Sequence, residues 1–414
     1  MDNLTNKHIV FLSLGSYATK KDLIYSQMVK FADELEKQNY FKSVQSIVIL
    51  PKLSTYRRYK THKENIIDFH NSIDSKLIFL YSWLLNGKMY SFLLKNYYYK
   101  LLTTEVYKNI NKLDGEIIFH CRSYYSADFA LFLKKVYPNK NIKVLFDMRS
   151  LLPPEFPYTS KLFGKFLYVM GKEWERKLLK KSDLSLMVTH NAIKLLYLED
   201  STYQNIDYIP IIGFSENLKS TNIENEFKER WKEKSIGYVG SIGLWHNLES
   251  IELVEKTIKE EFKEEHKFLI VTGNKNLNTY IDKTSIPNDK MPKFYRDQLA
   301  IVIPGVVKNI DYFKALQMTS NLFSTKASEA LSLGVPLIVN KQISELAKLV
   351  LENKCGIVFE HDSKNNKINF LNVSDIELNS EEFWKSITKS AFELSQRFSK
   401  EKVEEMYLDY WSYI

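Results

Sequence analysis

The sequence predicts an α/β protein built from two doubly wound, Rossmann-like domains that face each other across a cleft. Three observations carry that expectation. Short apolar runs ending at glycine or polar residues alternate with stretches of helical period. The strand and glycine-loop opening HIVFLSLG (8–15) returns as SIGYVGSIG (235–243). A chain of 414 residues also exceeds what one core commonly organises, at roughly 100–200 residues per domain.

Residues 8–15 read as a strand closed by a glycine loop, and Ile24, Met28, Phe31 and Leu35 recur behind it at the helical interval. Strands follow at 44–51, 117–121, 143–148 and 184–190, with a helix over 126–137. Continuous apolar runs of this kind suit parallel strands covered on both faces. After a polar segment at 215–234 the pattern restarts at 235–243. Leu248, Ile251, Val254, Ile258 and Phe262 then mark an amphipathic helix, and strands are expected at 266–273, 298–305, 335–340 and 355–360. The expected division is an N-terminal domain (1–205), a linker (206–235), a C-terminal domain (236–380), and helices (381–414) that return to the N-terminal domain with Phe383, Trp384, Phe392, Phe398, Tyr407 and Trp411.

An apolar share of 44% with 26% charged residues excludes wholesale disorder, a collagen-like fibre and a polytopic membrane protein. The net charge of +8 is uneven, +12 over residues 1–205 against −4 over the rest. A basic front half suits an anionic partner such as a membrane surface or a lipid phosphate, or is a solvated lysine-rich surface. No nucleic-acid-binding module accompanies the charge, and no nucleic-acid partner is expected. Two cysteines, Cys121 and Cys355, allow neither a disulfide framework nor a cysteine zinc site and fit a reducing compartment. The N-terminus carries no secretory pattern, so a cytoplasmic location is expected, peripheral to the inner face of the membrane if the chain is lipid-bound. The longest charge-free apolar stretch, 77–87, falls well short of the roughly 20 residues that span a bilayer. Residues 76–100, where lysines interrupt Leu, Phe, Trp and Tyr, read either as a segment at a lipid interface or as a helix packed on its own domain.

The most informative segment runs from Asn321 to Val339. Thr325 and Lys326 open a short helix, Glu329 lies within it, and Gly334 and Pro336 end it before a buried strand. At this point the chain resembles the retaining glycosyltransferases of family four, of the bacterial surface-polysaccharide type, which have the GT-B fold. That family's pattern pairs two glutamates eight positions apart ahead of Gly-x-Pro. Glu329 matches the second, and Asn321 stands where the first would be. A carboxylate at Glu329 suits the vicinal hydroxyls of a ribose. Lys326 suits a diphosphate and the charge that develops on it as a leaving group. Thr325 and the amides behind it add donors, and Asn321 suits a sugar hydroxyl. The competing reading is a solvated lysine and a helix-start glutamate favoured by the dipole.

Gly240, Ser241 and Gly243, before Trp245 and Asn247, resemble the family's donor-domain glycine loop, where backbone amides approach phosphate. An ordinary turn is the alternative. Gly15 is the corresponding N-terminal loop position, across the cleft from the donor phosphates. In the N-terminal domain His120, Arg122, Asp147, Arg149 and Glu155 fall at or beyond strand ends, resembling the family's acceptor domain. His120 suits proton transfer, and Arg122 and Arg149 suit anionic groups on an acceptor. An ion-pair network among Asp147, Arg149 and Glu155 competes for those three. Glu173, expected to face solvent, and His190 are weaker candidates.

No Asp-x-Asp triplet, Gly-x-x-x-x-Gly-Lys loop, His-Glu-x-x-His or Gly-x-Ser-x-Gly occurs, and neither a metal nor a resident cofactor is expected. The resemblance implies a metal-independent transferase moving a sugar, with retention, from a nucleotide diphosphate sugar to a hydroxyl of a capsule- or lipopolysaccharide-like glycan or a lipid-linked acceptor. Lys326, His120 and Arg122 would take the catalytic roles, and the two domains would close on a hinge. A nucleotide-sugar epimerase on the same fold and a non-catalytic membrane-surface protein are the alternatives.

Overall fold

The computed structural model describes residues 4–14, 25–51, 76–82, 88–159, 163–214, 223–243, 246–262, 266–274, 276–305, 323–362, 365 and 367–414. The chain divides into two compact units. The first comprises Met1–Met187, Ile193–Tyr208 and Tyr407–Ile414; the second comprises Val188–Ala192 and Ile209–Met406.

The first unit is a seven-stranded parallel sheet of β1 (Lys7–Leu14), β2 (Ser43–Pro51), β3 (Lys76–Ser82), β4 (Glu116–Arg122), β5 (Asn141–Asp147), β6 (Leu184–Met187) and β7 (Ile206–Tyr208), in the order β3-β2-β1-β4-β5-β6-β7. Every residue of β1 is buried, as a central parallel strand covered on both faces requires. The helices of this unit are α1 (Lys30–Lys37), α2 (Lys88–Ile110), α3 (Tyr124–Val136), α4 (Gly164–Lys181) and most of α5 (His190–Glu199). The chain's last residues also pack here. Trp411 meets Phe11, Phe31 and Phe41, and Lys7 Nζ donates to the Trp411 carbonyl at 3.0 Å.

The second unit opens with α6 (Ile223–Glu233). Its sheet comprises β8 (Ser235–Val239), β9 (Lys267–Val271), β10 (Asp282–Thr284), β11 (Ala300–Ile303), β12 (Leu337–Asn340), β13 (Gly356–Asp362) and β14 (Lys367–Phe370). The order β10-β9-β8-β11-β12-β13-β14 repeats that of the first sheet, with only β14 antiparallel. Between the strands lie α7 (Leu248–Glu261), α8 (Thr325–Ser332) and α9 (Ser344–Asn353); α10 (Glu381–Ser395) and α11 (Lys400–Tyr413) follow, the part of α11 from Tyr407 onward belonging to the first unit. Helix α8 stops where Gly334, at φ +64°, donates its N–H to Leu331 and Val335 donates to Ala330, a left-handed terminus that glycine takes without strain. Buried Arg230 of α6 holds that terminus, donating to the carbonyls of Gly334 at 3.0 Å and Arg296 at 2.7 Å.

Several expectations need correction. Residues 76–82, read as part of an interfacial segment or helix, form β3, paired in parallel with β2. Trp83 and its neighbours to residue 87 lie outside the described residues, as do Leu244 and Trp245. The segment 206–235, expected as a linker, contributes β7 to the first sheet and contains α6, which buries Phe227 and Arg230. The strand expected over 184–190 ends at Met187, and α5 begins at His190.

Candidate functional site

Strand order reverses between β8 and β11, and the carboxyl ends of strands at such a reversal are where sheets of this kind bind ligands. Gly240, Ser241, Thr325, Lys326 and Glu329 gather there. Beyond β8 the chain turns through Gly240 at φ +121°, whose N–H still donates to the Val271 carbonyl at 2.8 Å. A Cβ at Gly240 would stand 2.2 Å from Lys326 Cε. Only glycine therefore leaves room for the lysine, which reaches back from the second position of α8 to lie over the Tyr238 ring, with Nζ 5.1 Å from its centroid, and to donate to the Tyr238 hydroxyl at 3.4 Å. Tyr238 in turn donates to the Ser241 carbonyl at 2.7 Å.

Helix α8 begins at Ser324, whose hydroxyl accepts the Ala327 N–H at 3.1 Å. Glu329 stands three residues beyond Lys326, on the same side of the helix. Its Oε2 accepts the Tyr295 hydroxyl at 2.7 Å, while Oε1 has no partner among the described residues. Both side chains are partly buried. Burial pushes the Lys326 amine down to about 7, with Glu329 opposing, and pushes the Glu329 carboxyl up to about 7, against Tyr295 and Lys326. Burial, with help from Lys326, lowers His246 to about 3, so its imidazole is neutral. The arrangement offers an amine poised to gain a proton beside an anion, a helix start, and a carboxylate oxygen able to accept hydroxyls.

In the first unit a second cluster forms at the carboxyl ends of β4 and β5, again beside an order reversal, here between β1 and β4. Asp147 Oδ2 accepts from Arg149 Nε at 2.7 Å, His120 Nε2 at 3.3 Å and the Tyr407 hydroxyl at 3.4 Å. Arg149 also donates to the Tyr407 oxygen at 2.7 Å, and Arg122 donates to Gln27 Oε1 at 2.5 Å. Burial works against the Asp147 carboxylate, but Arg149, His120 and Arg122 outweigh it and hold the group well below the usual carboxylate range. Burial lowers the His120 imidazole despite Asp147 and favours its neutral form; Nε2 faces the Asp147 carboxylate, and Nδ1 is buried with no partner among the described residues. Burial and the neighbouring Arg149 charge bring Arg122 down to about 10. Of the six described non-glycine residues with positive φ, two lie here, Ser123 at φ +91° and Arg149 at φ +60°. Such strain persists only where surrounding structure enforces it, and it collects at functional sites.

Glu155 lies in the turn Pro153–Glu155, near Tyr124. Gly15 and Asn321 lie outside the described residues. A Cβ at Gly243 would meet nothing, so its contribution is the backbone bridge to His246. Glu173 is exposed and pairs with Arg176, while His190 and the adjacent amides engage the Glu345 carboxylate. Sequence reasoning missed Tyr238, His246, Tyr295 and Ser324 in the second unit, and Gln27 in the first. It placed Tyr407 only among packing aromatics. Among the described residues no group of three or more His, Cys, Asp or Glu is disposed to hold a metal ion.

No family model matches the chain, and no curated protein matches it. Solved structures do. Sucrose-phosphate synthase from Thermosynechococcus elongatus superposes with a TM-score of 0.61 at 12% identity over 99% of this chain and 100% of that one. Anabaena HepE in complex with UDP and glucose gives 0.63 at 12% over 98% and 99%. UGT2 of Phytolacca americana, complexed with UDP-2-fluoro-glucose and pterostilbene, gives 0.55 at 15% over 95% and 94%. With two seven-stranded sheets of matching order, these likenesses establish the fold as the two-domain, Rossmann-like GT-B architecture.

Proposed function

We propose that the protein is a glycosyltransferase that takes a sugar from a nucleotide diphosphate sugar. The observation that carries this reading is the placement of Lys326 and Glu329 on one side of α8, at the switch point of the second sheet and against Gly240. Glu329 would accept the ribose hydroxyls while Tyr295 holds its other oxygen. Lys326, Thr325 and the amides at the start of α8 would receive the diphosphate and stabilise its charge as it leaves. The structural relatives complexed with UDP or a UDP sugar support a uridine nucleotide as the first donor to try.

The first unit would serve the acceptor. Arg122 and Arg149 would meet its polar or anionic groups, Asp147 would hold their geometry, and neutral His120 would take part in proton transfer. Transfer to a hydroxyl of a surface glycan or lipid-linked sugar, with retention and without a metal, completes the proposal. The test is a panel of nucleotide sugars in a thermal-shift assay followed by turnover with and without acceptor. One donor should raise the melting temperature and be consumed at speed only when a glycan acceptor is supplied. Conversion of the donor alone would indicate an epimerase, and no shift with any donor would refute the reading.

A further inference from the structure

On the first unit an open groove of about 670 Å³ runs between α2, α3 and α4. Its lining includes five lysines, Lys100, Lys134, Lys135, Lys177 and Lys181, against one carboxylate, Asp128. That carboxylate already accepts from Tyr99 and Lys177, each at 3.4 Å, and Lys134 is bound to Asp183 at 2.7 Å. Lys100, Lys135 and Lys181 have no carboxylate partner among the described residues. Lysine is favoured at helix C-termini by the dipole, which accounts for Lys135 and Lys181. It does not account for Lys100, in mid-helix, nor for the exposed apolar side chains on the same helices.

Those apolar side chains decide what the groove fits. Phe166 is 58% exposed and Val169 61%, and at the helical interval they share one face of α4 with Lys177 and Lys181. On α2, Tyr97 is 62% exposed and Leu101 51%, both adjoining Lys100. That face of α4 is apolar over its first turns and basic over its last, about 16 Å further along, with exposed Glu173 between them, its charge paired with Arg176. No helix among the described residues is long and apolar enough to cross a membrane, whereas this pattern belongs to a helix lying flat in a lipid interface. Nucleic acid is the poorer fit, because the lining holds no arginine and two of the four exposed apolar side chains, Leu101 and Val169, are aliphatic and offer no ring on which a base would stack.

We infer that the face formed by α2, α3 and α4 docks the protein on an anionic lipid surface, with the groove lysines at the headgroups and Tyr97, Leu101, Phe166 and Val169 entering the acyl boundary. This inference does not rest on the glycosyl-transfer reading, since none of these residues belongs to either candidate site. Of residues 76–100, read above as an interfacial segment or a packed helix, it keeps Tyr97 and Lys100 on α2 and leaves out 76–82, which form β3.

The test is co-sedimentation of the full chain with vesicles of phosphatidylglycerol and phosphatidylcholine in equal parts, and with phosphatidylcholine vesicles alone. Binding is expected only to the anionic vesicles, weakening as salt shortens the screening length. The variant Lys100→Glu, Lys135→Glu, Lys181→Glu should bind at least about tenfold less, and Phe166→Ser with Val169→Ser several-fold less. Melting temperatures close to the parent's establish that the variants fold, and Lys→Gln at the same three positions repeats the test if charge reversal disturbs folding. Equal binding to neutral vesicles, no binding to anionic ones, or binding untouched by the lysine variants would overturn the inference. So would a single-stranded oligonucleotide that binds through these lysines while vesicles do not.

Discussion

Gly240→Ala separates the two things that the glycine does. Its φ of +121° costs an L residue about 1–3 kcal/mol, whatever surrounds it. The new methyl would also sit 2.2 Å from Lys326 Cε and 2.8 Å from Nζ, where carbon atoms ordinarily approach to about 3.5–4.0 Å. Lys326 must therefore retreat by more than an ångström and give up its place over Tyr238, worth about 0.5–1 kcal/mol. Urea unfolding should show Gly240→Ala less stable by about 1.5–4 kcal/mol, and calorimetry should show donor affinity reduced by about tenfold, since the cation has left its position. In a Lys326→Ala background the backbone cost should persist while the steric part and the affinity loss disappear, a coupling of about 1 kcal/mol. If alanine at position 240 leaves stability and affinity unchanged, or if its penalties are identical with and without the lysine, the packing of Lys326 against Gly240 does not govern the site.

Tyr295→Phe removes the hydroxyl that Glu329 accepts at 2.7 Å; the donor KM should rise several-fold with kcat less affected, and unfolding should register a loss of about 1 kcal/mol. Affinity for UDP-glucose, whose diphosphate does not titrate near neutrality, should peak close to pH 7. Above that, Lys326, lowered to about 7 by burial, loses its charge; below it, Glu329, raised to about 7 by burial, gains a proton. Glu329→Gln should flatten the acid limb alone, and a monotonic profile in the parent would contradict the assignment. Asp147→Ala leaves Arg149 and Arg122 without their buried counter-charge and should destabilise the first unit by about 3–5 kcal/mol in urea unfolding. Tyr407→Phe, which keeps the ring against Trp411 and removes only the hydroxyl at Arg149, should cost far less stability while raising the acceptor KM.

The central strands of both sheets were legible because parallel strands buried on both faces read as unbroken apolar runs. The edges were not. In β10 all three residues are exposed, and β7 is three residues long, so neither leaves an apolar signature. The strand β3 was hidden differently: the apolar run continues past Ser82 with no glycine or proline to mark its end, and it resembled one longer segment. At the candidate site, Lys326 and Glu329 were readable because they sit on one short helix with a glycine terminus. Their partners were not. Tyr295 is 34 residues from Glu329, and Tyr238 is 88 residues from Lys326. Tyr407 is 258 residues from the arginine it meets. A single sequence records no such long-range pairing; the sheet order creates it.

The central claim is that Lys326 and Glu329 hold a nucleotide diphosphate sugar at the start of α8. The most direct measurement is calorimetric titration of the donor that most raises the melting temperature into the parent, Lys326→Ala and Glu329→Ala proteins. The account predicts that each substitution weakens binding by about tenfold or more while Lys135→Ala leaves it unchanged. Parent-like affinity in both site variants, with the donor still bound, would place the nucleotide elsewhere and contradict it.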